Sequence, residues 1–361
     1  MPRHQTHIAE DLRPGRGAAS RDAGRFERFL REDVHDGWDI AETPRIERTE
    51  VAEERPRSVI NYTRSPDLPF DRTINPYRGC EHGCIYCFAR PTHAYLGLSP
   101  GLDFETRLIA RPDAPATLAH ELRKASYRPA TIAIGTNTDP YQPIEKTRGI
   151  MRGLLEVLRD HRHPVAIVTK GTLIERDIDI LSEMAAQGLA RVGISVTTLD
   201  PVLSRRMEPR VPAPARRLAT IARLTEAGIP VRLMASPMVP ALTDPELEAI
   251  LEAGRDAGAD AASWIMLRLP REVAPLWQDW LETHYPDAAS RVMARLREMH
   301  GGAVYSSKWH TRMRGEGPYA QIVAQRFALA TRRLGLDHPT APLRTDLFRV
   351  PPRAGDQLAL F

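Results

Sequence analysis

Three cysteines offer the clearest chemistry in this sequence. Cys80, Cys84 and Cys87 lie close together in the string NPYRGCEHGCIYCFAR, and the chain of 361 residues contains no other cysteine. Thiolates with the spacing C-x3-C-x2-C can face one centre only if the chain wraps around it as a loop. Gly79 and Gly83 supply the backbone freedom that such a loop requires. The pattern therefore indicates metal or redox chemistry rather than a disulfide framework.

The nature of the bound centre follows from the number of thiolates. A [4Fe–4S] cluster usually takes four; with three, one iron lacks a cysteine and is open to a substrate or cofactor. The alternatives are a zinc site that adds His82 or a distant histidine, or three buried structural thiols. We favour the iron–sulfur cluster, because zinc ligands more often fall into two separated pairs and the sequence has no second Cys/His cluster.

The elements that would position this loop form a repeated pattern from about Arg72 onward. Short apolar runs alternate with segments of helical periodicity, and several helical segments end at a glycine, a common C-terminal cap. The apolar runs are Thr73–Pro76, Thr131–Gly135, Val165–Thr169, Arg191–Val196, Val231–Ala235 and Trp264–Leu269. The helical segments include Ala114–Ala125, Gly149–Arg159, Asp177–Gln187, Pro214–Ala227 and Glu246–Ala257.

Six strand–helix repeats predict an α/β fold with a parallel sheet and right-handed crossovers. The count suits a full or partial barrel, and it fits a doubly wound sheet almost as well. In either arrangement, ligands bind at the carboxyl ends of the strands. The cysteines directly follow the first apolar run, so we expect them at this end of the sheet.

The motif CxxxCxΦC, with the aromatic Tyr86 at Φ, is identified as that of the radical S-adenosylmethionine (SAM) superfamily. The resemblance covers approximately residues 70–270. It implies a partial (β/α)6 TIM-type barrel, a [4Fe–4S] cluster on the three cysteines, and Tyr86 in the cofactor site. It also implies that the fourth iron binds the amino and carboxylate groups of SAM. An electron from the cluster would then split the C5′–S bond and leave a 5′-deoxyadenosyl radical that abstracts hydrogen from the substrate.

A second string, GTNTDPYQPIE at residues 135–145, resembles the spore photoproduct lyase branch, also described as DNA-repair-photolyase-like. The resemblance implies that Thr138 and Asp139 hold the SAM amino group. A carboxylate and a hydroxyl are suitable acceptors for an ammonium group. The alternative is a helix cap or turn, since Thr-Asp-Pro is also common turn sequence.

The same branch implies contacts to the SAM carboxylate from the ends of the third and fourth strands. Lys170 ends the third, in VTKG, and it is one of only four lysines among 50 basic residues. A lysine in so arginine-rich a chain indicates that a compact ammonium is needed there; the alternative is an ordinary surface lysine. On the fourth strand, Ser195 or Thr197 would bind the carboxylate, and alternation places both on one face.

The resemblance to the spore photoproduct lyase branch does not extend to the residue that donates a hydrogen atom in its reaction. Spore photoproduct lyase uses a further cysteine just before the hydroxyl–Asp pair, where this chain has Thr136. A hydroxyl is a far poorer hydrogen-atom donor than a thiol, so we expect Tyr141 to serve instead, or a different reaction. Arg210, in the arginine-rich string 205–217, is the candidate contact to an anionic substrate; the alternative is a solvated loop.

Composition divides the chain into four expected segments. They are a polar N-terminal arm (1–57), the radical SAM core barrel (58–271), a helical C-terminal extension (272–336) and a flexible tail (337–361). The overall net charge is +4, whereas residues 301–361 alone carry nine basic and four acidic residues. Such a basic segment suits a polyanion such as nucleic acid, although solvated helix faces give the same composition.

Several classes of protein are excluded or disfavoured. With 42% hydrophobic and 27% charged residues, the chain is neither wholly disordered nor collagen-like. Apolar stretches are interrupted well before the ~18 residues of a membrane span, and the first residues lack the apolar core of a secretion signal. We therefore expect a cytoplasmic protein with no membrane partner.

The last five residues, QLALF, form a separate motif. Gln357, Leu358, Leu360 and Phe361 resemble the short peptide by which bacterial polymerases and repair proteins bind the replication sliding clamp. Exposed apolar clusters usually mark a contact. The alternative is that the tail folds back onto the barrel, since short motifs often match by chance.

Together these features predict a radical SAM enzyme of lyase or transferase type that repairs or modifies nucleic acid. Its reductant would be a protein such as flavodoxin or ferredoxin. An alternative is a radical SAM enzyme that acts on a protein or a small metabolite. A more remote alternative is a non-catalytic metal-binding scaffold.

Overall fold

The apolar runs form strands of one large sheet. The computed structural model describes residues 7–27, 46–338 and 340–352, and this part of the chain contains ten strands. They are β1 (Glu50–Glu53), β2 (Asn61–Tyr62), β3 (Arg72–Ile74), β4 (Tyr77–Arg78), β5 (Arg107–Ala110), β6 (Ile132–Ile134), β7 (Val165–Thr169), β8 (Ala190–Ser195), β9 (Val231–Met238) and β10 (Ala261–Met266).

The large sheet has the order β10-β9-β8-β7-β6-β3-β2. All neighbours from β3 to β10 are parallel, and β2 is an antiparallel addition to β3. β3 and β10 do not pair with each other in this sheet, so the six parallel strands form an open arrangement rather than a closed barrel. The predicted α/β fold with a partial six-stranded barrel is confirmed.

Five of the helices coincide with predicted segments, and they cover the outside of the sheet. The helices are α1 (Asp103–Thr106), α2 (Ala114–Leu122), α3 (Glu145–Arg148), α4 (Ile150–Asp160), α5 (Ile178–Ala186), α6 (Pro201–Met207), α7 (Pro214–Glu226), α8 (Leu247–Asp256), α9 (Val273–His284), α10 (Pro286–Met299) and α11 (Gly317–Leu334). In α4, for example, Ile150, Leu154 and Leu158 lie on one buried face. Within the described ranges, no helix has the length and apolarity to cross a membrane.

The least accurate strand prediction is the last. The sequence predicts Trp264–Leu269, whereas β10 is Ala261–Met266. The strand begins at two alanines, which lack the bulky β-branched side chains that mark a strand in sequence. It ends where the pairing with β9 becomes irregular after Trp264.

A second, three-stranded sheet was not predicted. It has the order β1-β5-β4, and β1 belongs to the region expected to be a polar arm. The preceding residues 7–27 also contact the body of the protein. The backbone amides of Gly17 and Ala18 donate hydrogen bonds to the buried Glu105 carboxylate, at 2.8 and 2.9 Å. The described part of the arm therefore packs beside the cysteines.

The expected C-terminal extension contains α9, α10 and α11, with residues 303–316 connecting the last two. We call residues 303–316 the closing segment. It contacts both sides of the opening in the sheet: the Met266 amide in β10 donates to the Met313 carbonyl at 2.8 Å. The amide of His310 donates to Asp67, between β2 and β3, at 2.6 Å. The closing segment thus bridges the two ends of the open arrangement.

Part of the expected flexible tail has a defined position. Residues 340–352 cross the amino ends of the strands, where the Arg344 and Arg349 amides donate to the carbonyls of Gly188 and His161, both at 3.0 Å. Phe348 packs against Tyr127 and other aromatic rings there. The clamp-like residues Gln357, Leu358, Leu360 and Phe361 lie outside the described residues.

His163, beneath the sheet, gives a test of this packing by pH. Its Nδ1 donates to the Pro164 carbonyl, and its Nε2 accepts from the Tyr127 hydroxyl at 2.7 Å. Burial lowers the pKa of His163 from 6.5 to about 3. Because the native state holds the neutral ring, the stability it contributes is complete above about pH 6.5. It is lost as the pH falls toward about 3, at about 1.4 kcal/mol per pH unit.

We expect the free energy of unfolding in urea to fall between pH 7.5 and 5.5 by about 1.4 kcal/mol more in the native sequence than in His163→Gln. The exposed His120 on α2 provides the control: His120→Gln should keep the native pH dependence. Equal pH dependence in His163→Gln and the native protein would contradict the buried, neutral assignment.

Candidate active site

One pocket collects side chains from the carboxyl ends of β6 to β10 and from the loop that carries the cysteines. Parallel α/β sheets bind their ligands at this end. The lining residues are Cys80, His82, Cys84, Tyr86, Cys87, Phe88, Ala89, Gly135, Thr136, Asn137, Thr138, Asp139, Val168, Thr169, Lys170, Ser195, Met234, Ser236, Pro237, Ile265, Met266 and Arg268. The pocket is therefore lined by all three cysteines and by five residues predicted to bind the cofactor: Tyr86, Thr138, Asp139, Lys170 and Ser195.

Most of the cysteine loop, residues 79–90, is buried although it has little regular structure; Phe88 is exposed. Gly83 adopts a left-handed conformation with φ of 67°, and a Cβ there would lie 2.7 Å from a Glu105 oxygen. Gly17, from the N-terminal region, approaches so closely that its Cβ would lie 2.0 Å from the Gly83 carbonyl oxygen. A side chain at position 17 would clash with backbone, and one at position 83 would strain the left-handed backbone and displace the buried Glu105 carboxylate, so glycine is required at both.

Arg90 holds the backbone of this loop. Its fully buried guanidinium donates to the carbonyls of Gly83 and Cys84, and also to those of Pro100 and Gly101. Glu105 pairs with it at 2.5 Å. A buried loop must satisfy its backbone carbonyls internally, and Arg90 does so for two carbonyls of this loop while it ties them to two carbonyls of the neighbouring segment. This role could not be predicted from the sequence, since Arg90 is one of many arginines.

The donor set fits an iron–sulfur cluster. All three thiols are free, two of them buried, and burial raises the pKa of each. A bound cation reverses that effect, since a coordinating thiol is deprotonated outright. Across the described ranges, no three His, Cys, Asp or Glu side chains are grouped around a position for a single metal ion. A cubane instead takes its three thiolates on three different irons.

Asp139, at the end of β6, is fixed in orientation by its neighbours. One carboxylate oxygen accepts from the Thr169 hydroxyl at 2.5 Å and the Tyr141 amide at 2.9 Å, and the other accepts from the Lys170 amide at 2.8 Å. Burial opposes its ionisation, but His82 at 3.3 Å and these hydrogen bonds lower the pKa of Asp139 below its ordinary value. Asp139 is therefore a fixed negative charge in the pocket wall.

In contrast to the negative charge of Asp139, the ends of β7 and β8 provide a positive charge and a hydroxyl. These belong to Lys170, which directly follows β7, and to Ser195, the last residue of β8. The Lys170 ammonium donates to the Ser195 hydroxyl at 2.6 Å, and that hydroxyl donates to the Ser236 carbonyl, also at 2.6 Å. The sequence left Ser195 and Thr197 as alternatives. Their positions differ, because Ser195 lines the pocket while the Thr197 hydroxyl donates to the buried Glu208 at 2.8 Å.

Glu208 and Arg217 form a buried pair behind Lys170 that the sequence did not reveal. Both are fully buried and lie 2.8 Å apart, and Glu208 is 4.0 Å from the Lys170 ammonium. Glu208 also accepts a hydrogen bond from Tyr86, the aromatic residue of the cysteine motif. Burial opposes the ionisation of Glu208, but Arg217 and Lys170 lower its pKa. Two cations thus surround one carboxylate, so this side of the pocket keeps an excess positive charge.

The string 205–217 is accordingly not one solvated loop. It includes the end of α6 and the start of α7, and Arg217 points into the core. Arg210 lies 3.4 Å from Glu81, on the outer side of the cysteine loop, and is not one of the pocket-lining residues. The placement of Arg210 offers no support for its expected contact with the substrate.

Three other predicted residues have clear positions. Thr138 lines the pocket, and its hydroxyl donates to the Tyr77 carbonyl at 3.3 Å. Thr136, which replaces the donor cysteine of the related branch, also faces the pocket. The Tyr141 hydroxyl instead donates to the buried Asp177 at 3.1 Å and lies outside the lining. Tyr141 is therefore poorly placed as a hydrogen donor.

The remaining wall of the pocket is apolar except for one arginine. Met234, Ile265 and Met266 come from β9 and β10, and Phe88 comes from the cysteine loop. Arg268 follows β10, and its guanidinium lies 4.7 Å from the centre of the Phe88 ring. The pocket thus joins a charged half beside the cysteines to an apolar half closed by Phe88 and Arg268.

Related sequences extend over most of the chain. An uncharacterized protein of Mycobacterium tuberculosis is 38% identical over 80% of this chain and 82% of its own length. An uncharacterized protein of Methanocaldococcus jannaschii is 26% identical, over 67% of this chain and 86% of its own length.

Solved structures of spore photoproduct lyase share the fold. The enzyme complexed with dinucleoside spore photoproduct matches with a TM-score of 0.56 and 14% identity, over 79% of each chain. A mutant of that enzyme with bound S-adenosylmethionine and the same dinucleoside matches with a TM-score of 0.56, over 79% of this chain and 78% of the other. At this identity the likeness concerns the fold.

The family follows from a match along half of the chain. The model of the radical SAM superfamily matches residues 74–254, which include the cysteine loop, Asp139, Lys170 and Ser195. Members of this family use a [4Fe–4S] cluster and S-adenosylmethionine as cofactors. The chain belongs to the radical SAM superfamily of enzymes.

Proposed function

We propose that this enzyme cleaves SAM reductively at a [4Fe–4S] cluster and uses the resulting radical to repair or modify nucleic acid. The observation that carries the proposal is the joint lining of one pocket by three cysteines and by side chains that suit a zwitterionic amino acid. An ammonium group needs acceptors and a carboxylate needs donors, and the pocket offers them at neighbouring strand ends.

Cys80, Cys84 and Cys87 would hold three irons and leave the fourth open to SAM. The reduced cluster, when bound, supplies the electron that splits SAM into methionine and a 5′-deoxyadenosyl radical. The task of the protein is to position SAM beside it. A buried loop with a fixed backbone suits this task, because rigid sites hold reacting groups at the productive distance.

Thr138 and Asp139 would receive the SAM ammonium group. Asp139 already accepts three hydrogen bonds from the protein, which fix the direction in which its carboxylate points. Its negative charge lines the pocket and would attract the ammonium group. Lys170 and Ser195 would bind the SAM carboxylate, and the excess positive charge shared with Arg217 favours an anion there.

The nucleic-acid substrate is supported by two observations. The structural relative spore photoproduct lyase has been solved with a dinucleoside photoproduct in its complex, and residues 301–361 of this chain are basic. The reaction differs from that of the relative at the donor, because Thr136 replaces the thiol. Lyase-type repair and transferase-type modification both use the radical that this site would generate.

Two partners belong to the same proposal. Reduction of the cluster requires an electron-transfer protein such as flavodoxin or ferredoxin. The residues Gln357, Leu358, Leu360 and Phe361 would bind a bacterial sliding clamp, which would raise the local concentration of nucleic acid without any new contact in the pocket.

Replacement of any one cysteine tests the radical chemistry. We expect Cys80→Ala, Cys84→Ala and Cys87→Ala each to abolish SAM cleavage, since two thiolates hold a cubane too weakly. The measurement is 5′-deoxyadenosine released by the anaerobically reconstituted and reduced protein. Ser182→Ala, on the exposed face of α5, should retain the activity. One zinc per chain without iron would contradict the assignment, as would no SAM cleavage by a protein with a full cluster.

Replacement of the charged residues tests SAM binding. We expect Lys170→Ala and Asp139→Ala to weaken SAM affinity by about 10- to 150-fold while the iron content stays unchanged, because each loses a charge-assisted hydrogen bond. Titration calorimetry under anaerobic conditions measures the effect, with the exposed Lys146→Ala as the matched control. If Lys170→Ala bound SAM with the affinity of the native protein, Lys170 would have a structural role and no part in SAM binding.

The substrate class is tested in cells. Nucleosides from the DNA and RNA of cells with the native protein should differ, by mass spectrometry, from those of cells with the Cys84→Ala variant. The variant controls for binding without chemistry. Identical nucleosides under all growth and damage conditions tried would favour a protein or metabolite substrate instead.

A further inference from the structure

We propose that Arg268 is the phosphate anchor for a single-stranded nucleic acid, and that the exposed Trp309 on the closing segment stacks on one of its bases. The proposal rests on the proposed function and specifies the substrate and the residues that recognise it.

The first observation is the way Arg268 is held. Its guanidinium lies 4.7 Å from the centre of the Phe88 ring and 5.9 Å from that of Tyr305. One terminal nitrogen donates to the Tyr305 hydroxyl at 3.2 Å, while Nε is buried and has no hydrogen-bond partner among the residues that the structure describes. Two aromatic rings thus hold the guanidinium while donors remain free. This pre-organisation favours binding of a ligand, because less side-chain freedom is lost.

The second observation is its charge environment. Two other charged groups of the pocket have a partner that can carry the opposite charge: Asp139 lies 3.3 Å from His82, and Lys170 lies 4.0 Å from Glu208. Arg268, in contrast, has no Asp or Glu within 4.0 Å among the described residues. A partly buried cation without a counterion attracts an anion from solution. The planar fork of donors on arginine matches the oxygens of a phosphate.

The third observation places this anion close to the reacting centre. Phe88 directly follows Cys87 in the chain, and both line the pocket together with Arg268. A phosphate on Arg268 would therefore hold its nucleotide at the mouth of the pocket that contains the cysteines. Because a base inside a duplex cannot enter such a pocket, the substrate must be single-stranded or locally unpaired there.

The closing segment distinguishes a polynucleotide from a small phosphorylated metabolite. Trp309 is 54% exposed and stands between Lys308 and His310, whose side chains are 73% and 75% exposed. The segment is tied to Arg268 through Tyr305 and to Asp67 through His310. Lys308 pairs with Glu316 at 3.6 Å and the His310 ring lies 3.6 Å from Asp67, so Arg268 supplies the charge for a phosphate here. An exposed aromatic ring near such a cation is typical of surfaces that bind single strands, where bases stack and phosphates pair. A small phosphate ligand would need Arg268 alone.

The test is binding of fluorescent 12-nucleotide single strands of DNA and of RNA to the full-length protein. Anisotropy is measured from 50 to 200 mM salt. We expect Arg268→Gln to weaken binding by about 10-fold and to reduce the salt slope by about one ion. Arg268→Lys should keep the slope but lose part of the affinity, since it retains the charge without the planar fork. Arg159→Gln on α4, whose arginine pairs with Asp160, should change neither.

Trp309→Ala tests the stacking contact. It should weaken binding by about 5- to 10-fold with an unchanged salt slope, because stacking releases no counterions. Thermal unfolding and iron content show whether each variant is folded. Tyr305→Phe is a milder variant, because it removes only the hydroxyl that accepts a hydrogen bond from the Arg268 guanidinium. Weaker binding by Arg268→Gln together with a smaller salt slope supports the proposal for the nucleic acid, DNA or RNA, on which both effects are measured.

Native affinity and slope in Arg268→Gln would overturn the proposal and leave the proposed function standing. Absence of binding by the native protein to either strand would overturn it together with the nucleic-acid part of the proposed function. The radical chemistry is judged separately, since release of 5′-deoxyadenosine does not depend on these oligonucleotides.

Discussion

A buried loop without regular secondary structure needs partners for its backbone carbonyls, and in this protein Arg90 binds two of them together with two carbonyls of the neighbouring segment 100–101. Glu105 neutralises that arginine and at the same time binds the amides of Gly17 and Ala18. The cysteine loop, the helix that carries Glu105 and the N-terminal region therefore depend on one buried ion pair. Removal of either partner would leave a buried charge unpaired, which is far more costly than loss of an exposed pair.

Charge is arranged across the pocket in a definite order. The end of β6 contributes the carboxylate of Asp139, and the ends of β7 and β8 contribute Lys170 and Ser195. Both charges are fixed by hydrogen bonds to neighbouring backbone or side chains rather than left free in solvent. Such a preformed pair of opposite charges suits a zwitterion, because the protein pays the cost of ordering its own dipoles during folding and not during binding.

The sequence was most informative where chemistry depends on spacing. The cysteine motif, Asp139 and Lys170 could be located because each follows an apolar run, and strand ends converge in a parallel sheet. Glu208 and Arg268 could not, because their roles depend on partners far away in the chain. The fold was predictable from periodicity, whereas the small sheet was not, since its strands are only two to four residues long. Short strands are defined by pairing rather than by pattern.

The course of residues 340–352 separates two faces of the molecule. This segment crosses the amino ends of the strands, whereas the pocket opens at their carboxyl ends. The segment therefore leaves the pocket end of the sheet uncovered. A substrate can enter and a product can leave without displacing it, so turnover does not disturb the packing beneath the sheet.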